Sequence, residues 1–125
     1  MALPKKVKQG GSYYKGYQLS VPASTGDWVL HIDTAISRVV NGMTFIADAY
    51  GIGDNWSVGH YANTTTGAAL VDAIANSVYN PGENVAISLD FPALEPMNPG
   101  EDLRVTYSNV ASTAVSLTVV VEFVR

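Results

Sequence analysis

The plainest pattern in the chain is a two-residue alternation near its end. In ASTAVSLTVVVEFVR, Val115, Leu117, Val119, Val121 and Phe123 alternate with Ser116, Thr118, Val120, Glu122 and Val124. Successive strand residues point to opposite faces, so this spacing predicts a strand with one face in a core. EDLRVTYSN repeats the pattern, with Leu103, Val105 and Tyr107 facing one way and Arg104, Thr106 and Ser108 the other. NVAISLDF does so again, Val85, Ile87, Leu89 and Phe91 against Ala86, Ser88 and Asp90. Nearly the same pentapeptide precedes both of these strands, NPGEN at 80–84 and NPGED at 98–102. Proline presets φ and glycine accepts positive φ, so each predicts a turn.

Upstream, DWVLHIDTAI predicts a strand with Trp28, Leu30 and Ile32 inward, and VVNGMTFIADAYG another with a bulge at Asn41-Gly42. YYKGYQLSVP predicts an edge strand, ended by Pro22 and blunted by Lys15 and Gly16. TTGAALVDAIANSVYN breaks the alternation. Its Leu70, Val71, Ile74 and Val78 fall on one face of a helix, its alanines favour helix, and Thr66 stands where a cap belongs. The spacing predicts one short helix around 67–79, although the short apolar runs leave a strand open. Six to eight strands, regular turn signals and one short helix together predict an all-β fold, an antiparallel β-sandwich.

Composition adds what kind of surface encloses that core. The 125 residues suit a single domain over 13–125, preceded by an extended basic arm over 1–12. Apolar residues make up 47% of the chain and charged residues 14%. That charge fraction is well below the usual value of about a quarter, so much of the surface is neutral or apolar. Such a surface suits a subunit that buries area against partners. Cysteine is absent, which excludes disulfides, thiolate catalysis and cysteine-ligated zinc. Residues 1–20 hold lysines without an apolar run, so no signal peptide is expected, and no stretch approaches a membrane span.

Charge is divided between arm and body. Residues 1–12 carry Lys5, Lys6 and Lys8 and no acid, a net +3; residues 13–125 carry four basic and eleven acidic residues, a net −7. An acidic body repels phosphate backbones and anionic lipid, so neither nucleic acid nor a membrane is the expected partner.

Candidate chemistry is sparse. His31 lies between Leu30 and Ile32 on the polar side of a strand, and His60 in a Gly- and Asn-rich segment read as a loop. Neither belongs to a zinc, hydrolase or phosphate-loop motif, and no metal or cofactor is expected. Within DAYGIGDNWSVGHYANTTTG, Asp48, Asp54 and Asn55 could offer oxygens to calcium, but the order of an EF-hand loop is missing. Trp56, His60 and Tyr61 form a candidate ligand-binding loop that could stack on a sugar; the alternative is a long loop pinned by its aromatics or buried against a neighbour. Carboxylates at Asp90, Glu95, Glu101 and Asp102 are scattered, and their spacing requires no catalytic pair.

The last third resembles the closing half of the small jelly-roll domains of tailed-bacteriophage virions. The residues that carry the resemblance are Phe91-Pro92, the turn Pro99-Gly100-Glu101-Asp102, the strand Leu103 to Ser108, and the long terminal strand Val115 to Phe123. The resemblance implies a jelly-roll sandwich and a non-enzymatic virion protein that decorates or cements capsids, often as a trimer, with a major capsid or other virion protein as partner. It fits an arm with a Gly10-Gly11 break, whose ordering cost has to be recovered on a partner. Lys5, Lys6, Lys8, Tyr13 and Tyr14 are the expected partner-binding residues. The alternative is a carbohydrate- or receptor-binding module of a tail or fibre, with Trp56, His60 and Tyr61 at the contact.

Overall fold

The computed structural model describes residues 12–33, 38–79 and 86–124, with the backbone alone at 12, 33, 38 and 86–93. The arm residues Lys5, Lys6 and Lys8, the NPGEN turn and Val85 lie outside the described residues, as do the facings expected for Ile87, Leu89 and Phe91.

Eight strands follow one another: β1 (Ser12–Val21), β2 (Gly26–Asp33), β3 (Arg38–Ala47), β4 (Asn55–Tyr61), β5 (Leu70–Val78), β6 (Ala86–Met97), β7 (Asp102–Asn109) and β8 (Val115–Val124). They form two four-stranded antiparallel sheets, ordered β1-β8-β3-β6 and β2-β7-β4-β5. Every connection changes sheet except the β4–β5 hairpin. The pairing is nested, β1 with β8, β2 with β7, β3 with β6 and β4 with β5.

The inner faces of the two sheets share one core and make a β-sandwich. β8 contributes Val115, Leu117, Val119, Val121 and Phe123, all buried, while the residues between them are at least partly accessible. β7 contributes Leu103, Val105 and Tyr107, and Ile32 of β2 is buried with Trp28 and Leu30 packed beside it. Phe45 of β3 stacks on Trp56 of β4, ring centroids 4.3 Å apart, and so joins the sheets directly. β1 is the edge strand that its lysine and glycine predict, and the β3 register shifts between Val40 and Gly42, leaving Asn41 as the bulge. The NPGED turn closes with Glu101 N donating to Asn98 O at 3.1 Å and with Gly100 at φ +85°.

Three expectations are corrected. No helix covers 67–79, and none occurs among the described residues. That segment is β5, the last strand of its sheet, with Val71 and Ile74 as extra residues against β4. Each bulge shifts the facing by one residue, so a bulged strand spaces its apolar positions like a helix. A true amphipathic helix would bury that stripe, whereas Leu70, Val71 and Val78 are about half exposed. The supposed loop through 48–67 contains β4 in its middle, over 55–61. β6 continues past Phe91-Pro92 to Met97, but its ladder to β3 breaks at that point. Asp90 pairs with Gly42 and Glu95 with Val40, so Pro92 falls in a stretch without a β3 partner. Pro96 is tolerated because an edge strand has one side of its backbone with no ladder to lose.

Candidate functional site

The sheets end side by side, β5 on one and β6 on the other, and a polar cluster joins them. His60 on β4 is buried, with Nδ1 2.8 Å from Glu95 Oε2 on β6 and Nε2 3.0 Å from Glu101 Oε1 in the β6–β7 turn. Asp72 of β5 stands opposite His60 in register and shares a side-chain hydrogen bond with Glu95.

These contacts pull the carboxyls in opposite directions. Burial pushes Glu95 above the usual carboxylate range and Asp72 adds to the rise, against a smaller opposing pull from His60. Glu101 is held below that range, first by the Asn98 backbone N–H 2.7 Å from its Oε1 and then by His60. Near the cluster, Leu70 and Val71 of β5 and Leu94 of β6 leave about half of their surface exposed, as does Val78 at the far end of β5. The β5–β6 edge is thus acidic and apolar together.

A second polar group lies on the outer face of the β2-β7-β4-β5 sheet, at the same strand end as His60. Asp102 Oδ2 accepts from His31 Nδ1 at 2.6 Å and from Arg104 Nε at 3.0 Å. The Arg104 guanidinium lies 3.9 Å over the Tyr61 ring and donates to the carbonyls of Asn63 and Thr65. A shallow groove between β4 and β5, lined by Ser57, Gly59, Tyr61, Leu70 and Ala73 among others, runs beside it.

The residues singled out in the sequence are dispersed over these features. Tyr13 stacks on Phe123 at 5.3 Å, while Tyr14 is exposed. Trp56 is buried against Phe45, His60 is enclosed by its carboxylates, and Tyr61 projects from the opposite face of β4 beneath Arg104. The three do not form one solvent-facing platform. Asp48 accepts from Ser116 N at 2.7 Å. Asp54 is fully buried and accepts from Gly51 N, Tyr107 Oη, Val110 N and Ala111 N, so its oxygens are committed to the fold. Among the described residues, no group of histidine and acidic side chains is arranged to hold a metal. The part played by Asp72, and the meeting of Glu95, Glu101 and His60, were not legible because the partners of His60 lie 35 and 41 residues away.

No protein-family model matches the chain, and no curated protein matches it. Among solved structures, a chain of the acidic stable capsid structure of Helicobacter pylori bacteriophage KHP30 is similar over 94% of this chain and 90% of that chain, with a TM-score of 0.56 and 12% identity. A chain of infectious bursal disease virus, Gx strain, is similar over 91% of this chain but 32% of that chain, with a TM-score of 0.47 and 14% identity. At such identities what the phage likeness shows is a shared fold.

Proposed function

We propose that this chain is a non-enzymatic structural protein of a virion: a jelly-roll capsid decoration or cement protein that oligomerises, as a trimer, and docks through residues 1–12 on a major capsid or other virion protein. The observation that carries the reading is the two-way match with the phage capsid chain, which takes in nearly all of both chains. The nested strand order supports the jelly roll, since it is the order that arises when one long hairpin of four strand pairs is wrapped into two sheets. The low charge content and the exposed apolar edge support assembly. Lys5, Lys6, Lys8 and the exposed Tyr14 are the residues assigned to the docking contact; Tyr13 anchors the start of β1 on Phe123.

Light scattering on the purified chain tests this. The expected result at micromolar concentration is a closed oligomer of three 13.3 kDa chains, which loses mass when residues 1–11 are removed. A monomer in both cases overturns the reading.

A further inference from the structure

We propose that the β5–β6 edge of one copy is the docking site for residues 1–11 of a second copy. This rests on the oligomeric reading above and names the surface through which the subunits interlock.

Four observations converge on it. Leu70, Val71, Val78 and Leu94 are each exposed by half or slightly more, and all lie on the two strands that end the sheets on the same side. The same side carries Asp72, Glu95 and Glu101, while neither β5 nor β6 contains a lysine or arginine. The arm has the complementary composition: Leu3 and Val7 among Lys5, Lys6 and Lys8, with no acid. Finally, Ser12 pairs with Val124, Val124 with Val39 and Val39 with Pro96, so β1 starts in the cross-sheet row that reaches β6 beside Glu95. Eleven residues span up to about 36–40 Å when extended, which is ample for a neighbour's edge.

Charge selects the arm over the other self-complementary occupant. Pairing β5 with a second β5 would bring the Asp72 and Glu95 of two bodies together, each body at net −7, and like charges across a strand pair are destabilising. An extended arm lying along the edge adds main-chain hydrogen bonds to β5 and places ammonium groups by the carboxylates.

The chain has no cysteine, so introduced thiols report contacts without background. A full-length chain carrying Lys6→Cys is mixed with one carrying Val71→Cys and oxidised mildly, with Gln18→Cys on the opposite edge strand as control; products are identified by mass, and each mixture is also weighed by light scattering before oxidation. The expected product is a Lys6→Cys to Val71→Cys heterodimer at twice the chain mass, lost in the Gln18→Cys control and weakened at about 1 M salt. Val71→Cys homodimers in excess would overturn the proposal in favour of edge-to-edge pairing. A double variant that closes on itself as a monomer would overturn it in favour of docking on the same copy. An oligomer without the cross-link overturns the docking site alone, and a monomer without it overturns the oligomeric reading as well.

Discussion

Asp54 shows how one buried side chain can organise a region of the fold. Burial alone pushes its carboxyl up, but donors from Tyr107, Val110, Gly51 and Ala111 outweigh that and hold it below 3.8. Burial and Asp54 together push the Tyr107 phenol up, so it remains a donor. A depressed folded-state pKa gives stability that is present above 3.8 and is lost as pH falls through the folded value. Asp54→Ala leaves several buried donors without an acceptor, and the expected loss is about 3 kcal/mol at pH 7. The urea midpoint measures it; a loss no larger than that of Asp48→Ala, an exposed cap worth about 1 kcal/mol, would contradict the assignment. In the sequence Asp54 stands out only as an oxygen beside another Asp and an Asn. Its partners Tyr107, Val110 and Ala111 are 53 to 57 positions away, beyond any local pattern.

Among the strands, regularity decided what could be read. β7 and β8 keep strict alternation because one face of each is wholly in the core, and both are recognisable from their residues. The β3 bulge was legible too, since Asn-Gly marks it. β5 fails because two bulges interrupt it and because an edge strand need not bury its apolar residues. Gly59 lies where β4 carries that irregular pairing. A Cβ there would meet Tyr61 Cε1 at 2.8 Å and Leu70 Cδ1 at 3.1 Å, so both side chains would have to move and Tyr61 would shift beneath Arg104. Gly59→Ala should therefore cost about 1–3 kcal/mol, as overpacking does. Gly16→Ala on β1 meets nothing within 4 Å and should be neutral or stabilising by up to about 0.5 kcal/mol. Equal unfolding midpoints for the two variants would mean that the β4–β5 pairing is looser than the geometry implies.

The cluster of His60, Asp72, Glu95 and Glu101 links strands of both sheets, so ionisation of Glu95 and Glu101 is felt by the sandwich as a unit. Its two shifted carboxyls act with opposite sign. Glu101, held low, contributes stability above 4.5 that is lost as pH falls. Glu95, held high, contributes stability that is complete below 4.5 and is lost as pH rises through its folded value, because the buried carboxyl must then ionise beside Asp72. Glu95→Gln keeps the shape and stays neutral at every pH. Its unfolding midpoint should match the unaltered chain near pH 4.5 and exceed it by a growing margin toward neutrality. Parallel curves would mean that His60 compensates Glu95 fully. The same ionisation supplies the negative charge that the proposed arm contact needs, so the pH that loosens this edge within one subunit is the pH that strengthens its attraction for the lysines of the next.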